Sequence, residues 1–161
     1  MKKLMIVLGF AAFLIACGNQ NNPPVIDQPA ADTNTSATTA DNGNPPYDPN
    51  RGEGKFHDVV LPASLDAAMA AQGEKITQLK CESCHKMTDE RLVGPGWKGV
   101  TSRHQPAWIL NFITNTDAMI DKDPKAQAML EICMVRMPNQ NLSDDDARAV
   151  LEYMRKNDGV K

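Results

Sequence analysis

The feature that most constrains this chain is a five-residue stretch in which two cysteines stand three positions apart and a histidine follows the second. These residues are Cys81, Cys84 and His85. On one turn of helix the two thiols lie on the same face, a spacing that suits addition across the two vinyl groups of a porphyrin. The pattern C-x-x-C-H is the attachment motif of c-type haem. It predicts one covalently attached haem c with His85 as a ligand of the iron.

Two other chemistries use closely spaced cysteines, and the sequence supports both less well. A redox-active dithiol of the thioredoxin kind stands between a strand and a helix, and no strand pattern precedes Cys81. A zinc site needs four ligands, usually in two pairs, whereas the other histidines, His57 and His104, are single and distant. Haem is therefore the cofactor that the motif favours.

The composition agrees with a small domain built around a cofactor. The chain has 161 residues, enough for one domain of ordinary size. Aromatic residues make up only 5% of it, so a bound group is a candidate for filling the core. The net charge of −3 lacks the basic excess of nucleic-acid-binding proteins, and we expect no nucleic-acid partner.

The first residues have the form of an export signal. Two lysines precede an apolar run over 4–16, which is shorter than the roughly 20 residues of a membrane-spanning helix. The run ends at Cys17, and this junction resembles the lipobox of bacterial lipoproteins, in which the cysteine is lipidated. The alternative is an ordinary cleavage site with a chance cysteine. We predict a signal peptide over 1–16 and a lipid anchor on Cys17 that holds the protein on a bacterial membrane facing the periplasm, with Gly18 favouring the outer membrane.

After this cysteine the chain becomes polar. Residues 17–50 are mainly Asn, Pro, Thr, Ala, Asp and Gly, without lysine or arginine, a composition that cannot bury enough apolar surface to fold. As a flexible coil, such a stretch reaches roughly 30 to 35 Å. We predict a flexible tether over 17–62 and a folded domain over 63–161.

The folded domain begins with a predicted helix that leads to the haem motif. Ser64 is expected to cap it, and Gly73 is a mild weakness in its interior. Its apolar positions recur at helical spacing. They are Leu65, Met69, Ile76 and Leu79.

Three further helices are predicted along the domain. Pro106 and Pro124 are each expected to open one, since proline is tolerated in the first turn. Ser143 and the three aspartates after it have the form of a capping box for a C-terminal helix that ends in basic residues. Because no sustained alternation of period two is present, the sequence predicts an all-α fold of about four helices.

Together with the haem motif, three further stretches give the chain a resemblance to class I, mono-haem cytochromes c. They are the segment from Gly94 to Val100, the triplet Arg136-Met137-Pro138, and the C-terminal helix after Leu142 and Ser143. The resemblance extends over nearly the whole of residues 63–161. It implies the small cytochrome c fold, with helices enclosing one haem.

The resemblance also implies roles for single residues. In the family the methionine before this proline is the second axial ligand, which implies Met137, and the carbonyl of Pro95 accepts a hydrogen bond from the proximal histidine. A soft thioether ligand favours ferrous iron and so raises the reduction potential. Met134 is the rival ligand, although its place at the end of a predicted helix favours a packing role.

For several more residues the sequence allows two roles, contact with the haem or ordinary packing. The indole N–H groups of Trp97 and Trp108 can reach a haem propionate and Arg103 can neutralise one, whereas packing or a solvated surface is the alternative for each. Cys133 is expected to be a buried, inert hydrophobe. In the alternative, the thiol of Cys133 and the thioethers of Met134 and Met137 are soft ligands of a copper ion.

The expected function follows from the predicted ligands of the iron. With both axial positions filled, no site is open for a substrate, so we expect single-electron transfer and no catalysis. The expected role is a carrier between a quinol-oxidising respiratory complex and a reductase or terminal oxidase, with redox proteins as partners. The alternatives are a haem enzyme for a small sulfur or nitrogen compound, with Met137 displaced, and a copper or thiol-redox lipoprotein.

Overall fold

A computed structural model of the chain describes residues 47–161. The predicted signal peptide over 1–16, the lipidated Cys17 and the tether as far as residue 46 lie outside the described residues. The described part is helical and has no strand, which confirms the all-α prediction, and none of its helices is long and apolar enough to cross a membrane. Its helices are α1 (Ala67–Lys80), α2 (Val100–Arg103), α3 (Pro106–Thr114), α4 (Thr116–Lys122), α5 (Pro124–Cys133) and α6 (Asp144–Asn157).

Three of these helices begin where the sequence predicts. Pro106 is the first residue of α3 and Pro124 the first residue of α5. The side chain of Asp123 caps α5 by accepting a hydrogen bond of 2.8 Å from the backbone N–H of Ala126. Ser143 caps α6 in the predicted way, and an acidic first turn and a basic last turn complement the dipole of this helix. Local capping signals were sufficient at these three positions.

The start of α1 differs from the prediction, because Asp66 rather than Ser64 is its N-cap. The carboxylate of Asp66 accepts a hydrogen bond of 2.9 Å from the backbone N–H of Met69. The backbone N–H of Asp66 itself donates to the carboxylate of Glu152 in α6, at 2.7 Å. A tertiary contact with α6 therefore fixes where α1 begins.

The face that α1 buries against α6 consists of small residues. Ala70 and Gly73 are buried, whereas Met69 is 37% exposed and Leu79 is 83% exposed. A Cβ atom at Gly73 would lie 1.9 Å from the carbonyl oxygen of Ala149, so the two helix backbones touch here. The predicted apolar face through Met69 and Leu79 is wrong, because close helix packing selects small side chains. Gly73 is required by this contact and is not a weakness.

Two short helices, α2 and α4, have no counterpart in the prediction. Only Asn115, with a φ of −136°, separates α3 from α4. The hydroxyl of Thr116 donates to the carbonyl oxygen of Phe112 at 2.9 Å, which ties the start of α4 to the last turn of α3. α4 packs against both α3 and α5. It thereby turns the chain so that α5 returns beside it.

Residues 47–56, which we call the strap, pack against α3 and α4. Asn111 in α3 is fully buried and makes three hydrogen bonds to the strap. Its Oδ1 accepts from the backbone N–H of Phe56 at 2.9 Å, and its Nδ2 donates to the carbonyl oxygens of Arg51 and Phe56, each at 2.9 Å. The ring of Phe56 is only 6% exposed. The strap is therefore part of the folded domain.

The predicted flexible tether is accordingly wrong for residues 47–62, and the predicted domain boundary at residue 63 comes too late. Beyond the strap, the carbonyl of Pro62 accepts a hydrogen bond of 2.5 Å from the guanidinium of Arg155. Gly52 has a φ of 70°, and a Cβ atom there would lie 2.5 Å from the thioether of Met119. One buried ring and closely fitted glycines hold this segment in place, and composition alone does not reveal them.

Candidate haem site

The haem motif forms a tight turn directly after α1. Cys81 is the C-cap of that helix, and its carbonyl oxygen accepts hydrogen bonds from the backbone N–H groups of Cys84 and His85, at 3.0 and 2.9 Å. Both thiols are free. Cys81 is buried, which raises the pKa of its thiol to about 11, and Cys84 is half-buried. The motif thus lies on a turn rather than within the helix, and backbone hydrogen bonds to the Cys81 carbonyl hold this turn.

The imidazole of His85 is fixed by a hydrogen bond on its far nitrogen. Nδ1–H donates to the carbonyl oxygen of Pro95 at 2.8 Å, which is the bond that the resemblance implies. Nε2 then carries no proton and is the nitrogen available to a metal. Burial lowers the pKa of His85, partly offset by the bond to Pro95, so the ring stays neutral. A Cβ atom at Gly94 would lie 2.3 Å from the ring, so only glycine leaves room for it.

His85 faces a deep cleft between the helices. The cleft has an empty volume of about 960 Å³, including its open mouth. Its walls are almost entirely apolar. They are formed by Trp108, Ile109, Phe112 and Ile113 of α3, by Ala126, Met129, Leu130 and Cys133 of α5, and by Ile120, Val135 and Met154.

Met137 lines the same cleft, on the segment that follows α5. Met134 ends α5 with a φ of 57°; it is 83% exposed and does not line the cleft. Between them, the guanidinium of Arg136 binds the carboxylates of Asp117 and Asp121, at 3.3 and 2.8 Å. The structure therefore brings Met137, and not Met134, to the cleft that contains His85.

The other residues predicted to contact the haem differ in whether the structure leaves them free to do so. The indole N–H of Trp108 donates to the buried carboxylate of Asp123 at 2.8 Å, so the propionate role suggested for it is wrong. Trp97 is buried, with its ring centroid 5.6 Å from that of His85. Arg103 lines the cleft, and its guanidinium donates to backbone carbonyls. Trp97 and Arg103 both line the cleft, and their contact with a haem propionate stays a prediction.

Cys133 is half-buried and also lines the cleft. The copper alternative needs its thiol together with Met134 and Met137, but the exposed side chain of Met134 lies outside the cleft. The structure therefore gives no support to a copper site here.

One residue of the cleft wall was missed by the sequence analysis. The ring of His104 stacks on that of Trp108, with centroids 4.1 Å apart. Its Nδ1 is buried and has no hydrogen-bond partner in the described part of the chain. Burial, together with the charges of Lys125 and Arg103, lowers the pKa of His104. A single histidine between polar residues offers no sequence signal for this position.

These residues fit haem c. The thiol of Cys84 and the neutral imidazole of His85 line an apolar cleft, and the thioether of Met137 lines the same cleft. The buried Cys81 lies on the same turn as Cys84 and His85. Gly94 leaves the space that the imidazole needs, and the Pro95 carbonyl fixes its tautomer. Cys81 and Cys84 would hold the porphyrin, and His85 and Met137 would ligate its iron.

Comparisons with known proteins agree with this site. A family model of cytochrome c matches residues 70–158. Among solved structures, cytochrome c from Rhodothermus marinus is 36% identical to this chain, with a TM-score of 0.63 over 65% of this chain and 90% of its own. An engineered form of it is 35% identical, with the same TM-score and coverage. That engineered form bound to a carbene intermediate is 35% identical over the same shares, with a TM-score of 0.60. No curated protein matches the chain.

Proposed function

The chain belongs to the cytochrome c family, whose members are haem proteins that transfer electrons, and we propose that it is a membrane-anchored, periplasmic carrier of single electrons. It takes electrons from a quinol-oxidising respiratory complex and passes them to a reductase or a terminal oxidase. When bound, haem c supplies a ferric/ferrous couple that exchanges one electron at a time. The chain's own residues hold this group, set its potential and limit what can reach it.

The observation that supports this function is that His85 and Met137 line one cleft. We infer that His85 and Met137 would ligate the iron of a bound haem, with Cys81 and Cys84 as its covalent attachment. The bond from His85 to Pro95 orients the imidazole and makes it a stronger donor. A site ligated on both sides leaves no position for a substrate, so we expect no turnover of a small molecule.

The apolar walls of the cleft support the same role. Side chains of α3 and α5, such as Ile109 and Leu130, exclude water from the site. A dry, low-dielectric surrounding disfavours the extra charge of the ferric state, and thioether ligation by Met137 acts in the same direction. We therefore expect a reduction potential above that of a site ligated by two histidines.

The location of the carrier is proposed from the sequence. The apolar run before Cys17 is the export signal, and lipidation of that cysteine supplies the anchor. At about 0.8 kcal/mol for each buried CH₂ group, several acyl chains anchor a protein stably. Labelling of the mature N-terminus with a radioactive fatty acid, lost in Cys17→Ser, tests this part separately.

The test of the ligands is a visible spectrum of the full-length chain, expressed with the haem-maturation machinery. We expect a covalent c-type spectrum with the red-region band of thioether bound to ferric iron. Met137→Ala should abolish this band, and the matched control Met134→Ala should keep it. A haem spectrum without the band in the unsubstituted chain would contradict ligation by Met137 and favour an enzyme with an open site. A chain without covalent haem would overturn the proposal.

A further inference from the structure

The segment that carries Met137 has little backbone structure of its own. α5 ends where Met134 adopts a φ of 57°, and α6 begins only after its cap, Ser143. In the described part of the chain, residues 135–142 take part in no backbone–backbone hydrogen bond. A segment with so few backbone bonds is where a folded protein opens locally. Side-chain contacts must therefore hold Met137 in the cleft.

The strongest of these contacts comes from the residue next to Met137. The Nε of Arg136 donates to the carboxylate of Asp117 at 3.3 Å. Its Nη2 donates to the carbonyl oxygen of Asp117 at 3.1 Å and to the carboxylate of Asp121 at 2.8 Å. We call these three residues the arginine clamp. A planar guanidinium serves several acceptors at fixed angles, so the clamp fixes the direction of this part of the chain as well as its position.

The acidic half of the clamp stands on a well-packed helix. Asp117 and Asp121 are one turn apart in α4, with their carboxylates on the same exposed face. The residues between them, Met119 and Ile120, are buried in the core. The clamp thus ties a segment without backbone bonds to a helix that the core holds in place.

Few other contacts share this task. Lys80 donates to the carbonyl oxygen of Gln140 at 2.9 Å, three residues beyond Met137, and the side chains of Met137 and Leu142 pack half-buried against the core. An exposed ion pair adds little to the stability of a whole domain. A segment that opens on its own, however, is sensitive to each of its few contacts. The clamp should therefore affect opening of the segment more than unfolding of the domain.

We propose that Arg136 is a positioning residue, which holds its segment on α4 and so sets how often the Met137 thioether leaves the cleft. This proposal rests on the proposed function, in which Met137 ligates the haem iron, and adds what limits access to that iron. While the clamp is closed, Met137 keeps its place. When the clamp opens, the thioether can move away and a small molecule can enter instead.

The test measures binding of imidazole to the ferric, haem-loaded, full-length chain by stopped flow. At saturating imidazole the observed rate equals the rate at which Met137 leaves its place. The clamp is broken from its two sides, by Arg136→Gln and by Asp117→Asn/Asp121→Asn. These variants remove opposite charges, so a direct effect of charge on the iron would differ in sign between them. Loss of the clamp acts in the same direction in both.

Lys156→Gln is the matched control, because it breaks another exposed ion pair, of 3.1 Å with Glu74, between α6 and α1. Arg136→Lys keeps the charge without the planar fork and should restore only part of the wild-type rate. Thermolysin cleavage within residues 134–142 reports loosening of the segment independently of the iron. Guanidinium unfolding of each variant shows whether the stability of the whole domain has changed.

We expect both clamp variants to bind imidazole about threefold or more faster than the unsubstituted chain, with faster cleavage of the segment and little change in the control. High salt should raise the rate of the unsubstituted chain toward that of the variants. Unchanged rates, or opposite changes in the two clamp variants, would overturn the role of Arg136. An equal rise in Lys156→Gln would assign the effect to a general loss of stability and would also overturn it. An unsubstituted ferric chain without the thioether band would instead refute the proposed function, and thermolysin cleavage would still show whether the clamp holds the segment.

Discussion

The buried amide of Asn111 is expected to hold the strap on the domain. In Asn111→Ala, the backbone N–H of Phe56 and the carbonyls of Arg51 and Phe56 lose their partners. A buried polar group without a partner costs about 1 to 3 kcal/mol. The strap can instead detach from the domain. The loss of stability is then limited to the free energy that docking of the strap contributes. Burial of the Phe56 side chain supplies about 1.5 to 3 kcal/mol of that free energy. We therefore expect the free energy of unfolding to fall by about 3 to 5 kcal/mol.

The assay is guanidinium unfolding of the haem-loaded chain, followed by circular dichroism, together with limited proteolysis of residues 47–56. Asn115→Ala is the graded control, since Asn115 makes one hydrogen bond of 3.1 Å to the strap and should lose only about 1 kcal/mol. Gly54→Ala should act like Asn111→Ala, because its Cβ atom would lie 2.3 Å from Oδ1 of Asn111. A loss below about 1 kcal/mol for Asn111→Ala, with no new cleavage in the strap, would refute the reasoning.

Three further changes test other parts of the structure. Gly73→Ala should lower the free energy of unfolding by at least about 2 kcal/mol, because its Cβ would overlap the Ala149 carbonyl; an unchanged melting temperature would show that α1 and α6 do not touch there. Arg155→Met leaves the buried carboxylate of Glu152 without its ion-pair partner, and the free energy of unfolding, measured by thermal unfolding, should fall by about 3 kcal/mol or more. A change near zero would show that the ion pair contributes nothing. Burial lowers the pKa of His104, so the unfolded chain binds more protons at this residue than the folded chain does. The free energy of unfolding should therefore be full above pH 6.5 and fall as the pH drops below it. His104→Gln should flatten this pH dependence in denaturant titrations, and an unchanged slope would show that other groups produce it.

Local signals in the sequence predicted the parts of the fold that depend on neighbouring residues. Pro106, Pro124 and Ser143 mark helix starts because proline and serine satisfy or avoid the unpaired N–H groups of the first turn. The resemblance supplied the bond from His85 to Pro95, which the structure contains at 2.8 Å. For the site, the haem motif and the family pattern were enough to name His85 and Met137, which both line the cleft.

The features that were missed depend on contacts between distant residues. Gly73 looks unfavourable within α1 alone, and its value appears only where Ala149 of α6 crosses it. Phe56 and Asn111 are separated by 55 positions, so composition near residue 56 could not show that the segment is packed. The indole of Trp108 was available to a propionate until Asp123 was seen to accept its N–H. Each correction comes from tertiary packing that overrides a local preference.

The most direct test of the central claim is a spectroelectrochemical titration of the haem-loaded, full-length chain, with and without carbon monoxide. Ligation by both His85 and Met137 predicts a single, reversible one-electron wave whose midpoint is the same under both conditions, since no position is free for the gas. A midpoint that moves upward under carbon monoxide would show an open or easily displaced position on the ferrous iron. That result would contradict a simple electron carrier and favour catalysis.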